Sequence, residues 1–450
     1  RLPAVSVAPV RRGPAASDVT ESPAAQREWQ TDYPVLARER EGRRFPITVR
    51  ISGDRNLLVE YGPMELDLRL RFQVHALMEA VRSAADFPVR DLTPGIRSLQ
   101  IQLDPECISL REACERVMEL DRALPPLESL KVPSRIVRLP LSWDDPSTRL
   151  AIERYQQNVR PDAPWCPSNL EFIRRINGLE SIDEVQRIVF DANYLVLGLG
   201  DVYLGAPVAT PVDPRHRLVT TKYNPARTWT PENAVGIGGA YLCVYGMEGP
   251  GGYQFVGRTV QMWNRLRSTG SFPEGKPWLL RFFDQIRFYP VAADELLRLR
   301  EDFLRGRFEV EVEETTFDLG EYLRFLDSIE ASAREFRSRQ QAAFQAERED
   351  WKRRGLAEYA SEQDGGKPLN EEELPAGVAA VRSPLPGSVW KVNVEPGGLV
   401  GKGDKIAVVE SMKMEFEIEA PEAGRVSSVH VAPGDGVQAG QLMIGIAPAK

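Results

Sequence analysis

Residues 405–419 read KIAVVESMKMEFEIE, and this stretch decides the fold of the C-terminal part of the chain. The runs 405–409 and 415–419 contain β-branched and aromatic residues and have the short length of strands. Between them lies the tetrapeptide Ser411-Met412-Lys413-Met414. The pattern predicts a β-hairpin whose tip presents Lys413 to solvent.

The same region is an internal repeat, which predicts a small quasi-symmetric β-barrel or sandwich with the hairpin at one end. Glycines and prolines that recur in register mean that the same turns recur in register. A shift of 37 positions superimposes Pro384, Gly387, Pro396, Gly397, Gly403, Val389, Val392, Val394 and Val400 on Pro421, Gly424, Pro433, Gly434, Gly440, Val426, Val429, Val431 and Val437.

This segment resembles the biotin carboxyl carrier domain of biotin-dependent carboxylases, in which a ligase acylates the lysine of a Met-Lys-Met motif. The resemblance implies biotin in amide linkage to Lys413 and a biotin ligase as a partner. A lipoyl domain shares the repeat fold, but its lysine usually lies between Asp and Ala, whereas Met412 and Met414 flank Lys413 here. A tethered cofactor that visits two active sites belongs on an exposed tip.

Length and composition exclude several classes of protein. A chain of 450 residues suggests two to four domains. A net charge of −8 argues against nucleic-acid binding, and no apolar run reaches the roughly 18 residues that a membrane span requires. The scattered cysteines fit neither a zinc site nor a disulfide scaffold and indicate a reducing cytoplasm. These are Cys107, Cys114, Cys166 and Cys243.

The fold predicted for the whole chain is an α+β multidomain arrangement. Strands are expected over residues 45–51, 56–62, 97–103, 132–141 and 279–289, with several shorter ones up to residue 257. Helices are expected over 66–84, 109–124 and 292–303, with two or three more within 148–190. The segments are a disordered linker (1–44), an α/β unit (45–130), a β-barrel unit (131–317), a connecting helix (318–357), a flexible tether (358–378) and the carrier domain (379–450).

The connecting helix carries one apolar face, which either packs on the body of the protein or forms an intermolecular coiled coil. Asp318 and Glu321 have the spacing of a capping box at its start. The apolar face comprises Tyr322, Leu326, Ile329, Ala333, Phe336, Ala343 and Trp351.

Two glycine-rich stretches contain the candidate site residues. In residues 198–207, Asp201 and Tyr203 lie among glycines that would let a small ligand approach the backbone, although a tight barrel-closing turn explains the same glycines. In residues 249–259, Arg258 is suited to hold a carboxylate or a biotin carbonyl, with Gln254 nearby, or to be a buried structural arginine.

No nucleotide-binding motif is present in the sequence. The stretch 236–241 reads GIGGAY and departs from the dinucleotide-binding pattern, and no phosphate-binding loop occurs. His75, His216 and His430 have no metal-ligand spacing, so no metal site is expected. Any use of ATP, Mg²⁺ and bicarbonate therefore requires a domain absent from this chain. The start at Arg1, without Met or a signal segment, suggests part of a longer protein.

Residues 91–99, 198–207 and 249–259 carry a second resemblance, to the allophanate hydrolase subunit 1 family, over roughly residues 45–310. That family supplies one half of the carboxyltransferase in urea carboxylase-type enzymes. The resemblance implies an α/β unit followed by a cyclophilin-like β-barrel, joined by the long helix to a flattened β-barrel of the biotinyl/lipoyl type.

The two resemblances together imply an ATP- and biotin-dependent ligase that carboxylates a nitrogen of urea to give allophanate, with carboxybiotin as donor. Asp201 and Tyr203 would contact substrate, and Gln254 and Arg258 would contact biotin. The expected partners are a biotin carboxylase domain and a subunit-2-like carboxyltransferase domain, without which the chain would be inactive. Arg69 stands where urea carboxylases often have Asn, so guanidine or another small amide is an alternative substrate. A regulatory module of the kinase-inhibitor type is a further alternative.

Overall fold

The computed structural model describes residues 34–39, 45–200, 205–356, 374–375, 377–385, 387–411, 414–433, 435–437 and 440–448, without the side chains of 387, 388, 390, 410, 411, 414, 415 and 436. The chain divides into two compact units. We call Arg1–Trp351 the body and Lys352–Lys450 the carrier unit.

The body begins with a five-stranded antiparallel sheet in the order β1-β2-β3-β5-β4. Two amphipathic helices bury their apolar faces on it, together with alternate residues of the strands. A capping box between Ser109 and Glu112 starts the second helix. The elements are β1 (Val35–Glu39), β2 (Ile47–Ile51), β3 (Asn56–Tyr61), α1 (Leu68–Ser83), β4 (Val89–Pro94), β5 (Ser98–Leu103) and α2 (Leu110–Arg122).

The two outer strands of this sheet correct the predicted organisation. Strand β1 falls in residues 1–44, which were predicted to be disordered, and β4 was not predicted at all. Both are edge strands with one hydrogen-bonded neighbour, and their burial patterns show no fully buried residue. Hydrogen bonding to a neighbouring strand stabilises both strands, so their own sequences show little alternation of apolar and polar residues. The rest of the predicted linker, 1–33 and 40–44, lies outside the described residues.

A closed barrel follows. Its sheet runs in the order β13-β10-β11-β8-β7-β14-β6-β15, and an additional pairing of β13 with β6 closes the first seven strands into a ring. Strand β15 extends from β6 outside the ring, and β9 pairs with β12 apart from it. The strands are β6 (Lys131–Trp143), β7 (Tyr194–Leu199), β8 (Pro207–Pro211), β9 (Arg227–Thr230), β10 (Ala234–Gly238), β11 (Tyr241–Val244), β12 (Gly249–Gly251), β13 (Gln254–Arg258), β14 (Gln285–Pro290) and β15 (Glu311–Asp318).

Helices form in the two predicted regions, and their buried side chains pack on the barrel core. Three lie between β6 and β7, and side chains of Asp145, Ser168 and Ser181 cap their N-termini. The strand predicted over 279–289 is shorter, since residues before Gln285 turn at Phe283, which has φ +67°. These helices are α3 (Pro146–Asn158), α4 (Asn169–Ile176), α5 (Ile182–Asp191) and, after β14, α6 (Ala293–Arg305).

The connecting helix is two helices, α7 (Leu319–Ser328) and α8 (Glu330–Arg353), which meet at Ile329. Asp318 caps α7 by accepting a hydrogen bond from the backbone N–H of Glu321 (3.0 Å). The apolar face of α8 packs on the body: the ring of Trp351 lies 5.9 Å from that of Phe172. Packing on the body, rather than an intermolecular coiled coil, therefore accounts for the apolar face.

The carrier unit contains two four-stranded sheets, β16-β23-β21-β18 and β20-β19-β17-β22. The 37-residue shift carries β17, β18 and β19 onto β21, β22 and β23, which confirms the predicted repeat. The predicted tether 358–378 lies almost wholly outside the described residues. The strands are β16 (Ala379–Arg382), β17 (Gly387–Val392), β18 (Leu399–Val400), β19 (Lys405–Ser411), β20 (Met414–Glu419), β21 (Gly424–Val429), β22 (Gly436–Val437) and β23 (Leu442–Pro448).

Candidate functional site

The carrier hairpin forms as the sequence predicts. After an irregularity between Lys405 and Ala407, strands β19 and β20 pair continuously up to Ser411 and Met414, so only residues 412 and 413 connect them. The alternate side chains of Ala407 and Val409 are fully buried, as is that of Ile406, which anchors the hairpin in the core of the carrier unit. Lys413 itself lies outside the described residues, but the paired strands on either side place it in a two-residue connection. A primary amine in that position has the chemistry that biotin attachment requires.

The loop after β7 holds the first pair of predicted substrate contacts. Asp201 and Tyr203 lie outside the described residues, which resume at Gly205. The ends of the loop are held together by a hydrogen bond from the backbone N–H of Gly200 to the carbonyl of Ala206 (2.9 Å). A Cβ at Gly205 would lie 2.9 Å from the carbonyl oxygen of Met262, so glycine is needed for this close approach. The loop is thus a short connection fixed at both ends.

A bulge precedes this loop. The pairing of β7 with β8 passes from Val196–Ala209 to Gly198–Val208 and skips Leu197. The carbonyl of Leu197 instead accepts a hydrogen bond from Nε of Arg71 on α1 (3.2 Å). Bulges are common beside active sites, because they redirect the chain. The bulge therefore links the first helix of the α/β layer to the start of the candidate loop.

Arg71 is a buried arginine beside the candidate loop that the sequence analysis did not single out. Its side chain is fully buried, and among the described residues no acceptor bonds to Nη1 or Nη2. Burial lowers its pKa to about 10, so it stays charged at neutral pH. The rings of Phe282 and Phe283 lie 5.6 and 4.9 Å from its guanidinium carbon. Such contacts are worth about 0.5–2 kcal/mol, less than the several kcal/mol that burying an unpaired charge costs.

His75, one turn after Arg71, contributes no second positive charge. Its ring packs edge-on against Phe283, with centroids 4.8 Å apart. Burial, together with the charges of Arg71 and Arg82, lowers the pKa of His75 to about 4. The imidazole is therefore neutral at pH 7, and Arg71 provides the charge on this side of the candidate loop.

Gln254 and Arg258, the two predicted biotin contacts, lie at opposite ends of β13, about 13 Å apart along an extended strand. Nε2 of Gln254 donates to the carbonyl of Thr221 (2.9 Å), and its Oε1 has no partner among the described residues. Arg258 donates from Nε to the carbonyl of Glu232 (2.7 Å) and from Nη1 to Oγ of Ser147 (3.0 Å). The two side chains therefore do not converge on one small ligand.

Arg258 belongs to a network of structural contacts. Nη2 of Arg300 pairs with Oε2 of Glu232 at 2.7 Å, and Nε2 of Gln261 donates to the other carboxylate oxygen at 2.8 Å. Burial lowers the pKa of Arg258, and the charges of Asp145 and Glu232 partly offset this decrease. These partners favour the buried structural arginine that the sequence left as an alternative.

The GIGGAY stretch has a packing function. Gly236 and Gly238 lie in β10, and a Cβ at Gly238 would come within 2.4 Å of the ring of Tyr253. The glycines thus make room for an aromatic side chain, in agreement with the rejection of a dinucleotide site.

Neither a metal-binding site nor a reactive thiolate is supported by the described part of the chain. No group of three His, Cys, Asp or Glu side chains there is arranged to hold a metal ion. Burial raises the pKa of the Cys114 thiol to about 11 and that of Cys166 to about 12, which disfavours reactive thiolates. No helix in the same part of the chain is long and apolar enough to cross a membrane.

Comparison with known families agrees with this arrangement of loop, barrel and carrier. Residues 47–272 match the carboxyltransferase domain, subdomain C and D. The chain belongs to this carboxyltransferase family. Residues 379–446 of the carboxyltransferase chain match the family of biotin-requiring enzymes, which confirms biotin as the predicted cofactor.

Individual relatives of the carboxyltransferase chain extend over most of its length. It is 38% identical over 401 residues to a urea amidolyase of Lachancea kluyveri, covering 88% of this chain and 22% of the relative. It is 32% identical over 420 residues to a putative urea carboxylase of Emericella nidulans, covering 90% of this chain and 34% of the relative. The crystal structure of the Kluyveromyces lactis urea carboxylase matches with a TM-score of 0.68 and 34% identity, covering 92% of this chain and 36% of that one. The chain therefore spans about a fifth to a third of these relatives.

Proposed function

We propose that this chain supplies the carboxyltransferase half and the biotin carrier of an enzyme that carboxylates a nitrogen of urea to give allophanate. The observation that carries the proposal is that a carboxyltransferase domain and a biotin-type domain occur on one chain, in an order shared with relatives named urea amidolyase and urea carboxylase over about 90% of its length. The biotin carboxylase domain, the second carboxyltransferase half, ATP, Mg²⁺ and bicarbonate belong to the part of such an enzyme outside this chain.

Arg69 provides no support for guanidine as the substrate. Its guanidinium is engaged by Asp67, with Nε at 2.8 Å and Nη2 at 2.6 Å from Oδ2. Its side chain is also 44% exposed. A residue held at the surface by its own helix cap contributes little to a substrate pocket, and urea remains the substrate we propose.

The roles of the chain's own residues follow from the polarity of urea. Biotin on Lys413 would supply a carboxyl group carried on a ureido nitrogen. Urea offers N–H donors and one carbonyl acceptor, so the carboxylate of Asp201 would accept from the substrate nitrogen and the hydroxyl of Tyr203 would donate to the carbonyl. The loop would thereby orient the nucleophilic nitrogen, and orientation is the main contribution expected from the protein.

The assignment of Gln254 and Arg258 to biotin stays a prediction. The unpartnered Oε1 of Gln254 supports a contact with a donor N–H. For Arg258, the existing hydrogen bonds to Glu232 and Ser147 support a structural contribution instead.

Asp201→Ala should lower kcat/KM for urea in the complete enzyme by about 10- to 100-fold, because a hydrogen bond to a charged group is lost. The assay is urea-dependent ATP cleavage, with Tyr203→Phe as a second variant. The matched control is Asp54→Ala, which removes a carboxylate that is 83% exposed in a turn of the first sheet. An unchanged kcat/KM for Asp201→Ala would remove this residue from the site.

A further inference from the structure

The barrel unit exposes a group of large apolar side chains on two segments, the loop 263–278 and helix α6. Leu266 in the loop is 95% exposed, and Leu297 in the helix is 57% exposed. Trp278 and Leu304 are 40% and 38% exposed. We call these four residues the apolar patch. Contiguous exposed patches of large apolar side chains are uncommon on soluble proteins and usually mark an interface.

Hydrogen bonds of Asn264 connect the loop to the end of α6. Its Nδ2 donates to the carbonyl of Leu304 (3.2 Å), and its backbone N–H donates to the carbonyl of Pro277 (2.8 Å). Leu266 and Trp278 lie next to these bonded residues in sequence. The apolar side chains of the loop therefore adjoin the C-terminal turn of the helix.

Helix α6 has a second apolar ridge in addition to the one that packs on the barrel. Leu296 and Phe303, seven residues apart, are fully buried in the core. Leu297 and Leu304, also seven residues apart, lie two turns from each other on one face and remain exposed. Packing within the body thus accounts for the first ridge and leaves the second one uncovered.

The conformation that exposes Leu266 is fixed by a buried side chain. Oδ1 of Asn264 accepts hydrogen bonds from the backbone N–H groups of Leu266 and Arg267 (both 3.1 Å). Asn264 itself is only 8% exposed. An apolar side chain that is already held in one place loses little conformational entropy when a partner covers it.

The loop around the patch is basic, whereas the chain as a whole has a net charge of −8. Arg265, Arg267 and Lys276 outnumber the single carboxylate of Glu274 in this loop. Arg265 and Arg267 form no ion pair within the part of the chain that the structure describes. A partner with acidic residues around an apolar centre would complement this surface. A symmetric contact with a second copy would bring like charges together and is disfavoured.

We propose that the apolar patch binds the second carboxyltransferase half, through an apolar surface of that half bordered by acidic residues. The inference rests on the proposed function, which requires this partner. The chain spans about a fifth to a third of its relatives, so other domains adjoin the matched region in those proteins. A domain that completes an active site must be held in a fixed position, which requires a permanent and largely apolar interface. A biotin carboxylase domain, in contrast, exchanges biotin through the carrier.

Photo-cross-linking in the complete enzyme identifies what covers the patch. A benzoylphenylalanine in place of Leu266 should cross-link to the second carboxyltransferase half, at a peptide that contains apolar residues next to Asp or Glu. The matched control replaces Met64, which is 87% exposed in the turn before α1, and should give no cross-link to that peptide. Mass spectrometry of the digested product locates both ends of the cross-link.

A charge in the patch should weaken the contact without unfolding the chain. In the complete enzyme, Leu266→Asp should lower the rate of urea-dependent ATP cleavage about tenfold, because a buried interface would then contain an unpaired carboxylate. Carboxylation of free biotin, which uses the biotin carboxylase domain alone, should proceed at the unmodified rate. The Tm of the 450-residue chain should not change, since the side chain of Leu266 is almost fully exposed.

The assignment of the apolar patch would be overturned by a cross-link from position 266 to the biotin carboxylase domain or to a second copy of the chain, or by no cross-link at all. Full urea-dependent activity of Leu266→Asp would also contradict it. Failure of the proposed function looks different, because position 266 would still cross-link to the second half in an enzyme that forms no allophanate.

Discussion

Replacing Lys413 with Arg should abolish biotin incorporation completely. Biotin attachment requires a primary amine as the nucleophile, whereas the arginine guanidinium remains protonated and cannot replace it. The positive charge is retained, and β19 and β20 pair through their backbones on either side, so the fold of the carrier unit should not change. Co-expression with a biotin ligase, followed by intact-mass measurement, checks the result.

The matched control for this experiment is Lys402→Arg. Lys402 is an exposed lysine of the same domain, in the turn before β19. The Lys402→Arg variant should be biotinylated at Lys413 as fully as the unmodified chain. Incorporation of biotin into the Lys413→Arg variant would show that another residue is the attachment site.

Replacing Gly257 with Ala should disrupt the closure of the barrel. Gly257 pairs with Trp143 where β13 meets β6, the contact that completes the ring. An added Cβ would lie 2.2 Å from the carbonyl oxygen of Ser142 and 3.2 Å from Cδ1 of Leu141. Relief of this overlap requires the two backbones to separate, which we expect to lower the free energy of unfolding by about 3 kcal/mol.

Gly198→Ala is the control for the barrel variant. Gly198 lies in β7 of the same barrel, and a Cβ there meets no atom within 4 Å. Its effect should stay within about 0.5 kcal/mol. Denaturant unfolding of both variants, followed by tryptophan fluorescence, provides the comparison. Equal stability of the two variants would contradict the importance of the β13–β6 contact.

Local patterns predicted the elements that are stabilised by their own periodicity. Helix α1 was expected over 66–84 and spans Leu68–Ser83, because its apolar residues recur every three or four positions. The carrier hairpin and its repeat were predicted for the same reason, since turns and strands recur in register. The edge strands β1 and β4 were missed because their stability depends on a neighbour that the local sequence does not reveal.

Long-range contacts account for the other features that the sequence did not predict. The pairing of Trp143 with Gly257 that closes the barrel leaves no periodic signal. Arg71 was passed over as part of an amphipathic helix, although an arginine between the buried Leu68 and Phe72 is a signal that could have drawn attention to it. Its significance depends on Leu197, more than one hundred residues away in sequence. Arg258 is the opposite case. It was singled out as a candidate site residue because its structural partners could not be recognised from the sequence.

The most direct test of the proposed function is the formation of allophanate from urea, bicarbonate and ATP. The chain is assayed alone and then with a biotin carboxylase and the second carboxyltransferase half restored. We predict urea-dependent allophanate formation and ATP cleavage by the complete, biotinylated enzyme, and neither by the 450-residue chain alone. A complete and biotinylated enzyme that cleaves ATP at the same rate with and without urea, and forms no allophanate, would contradict the proposal.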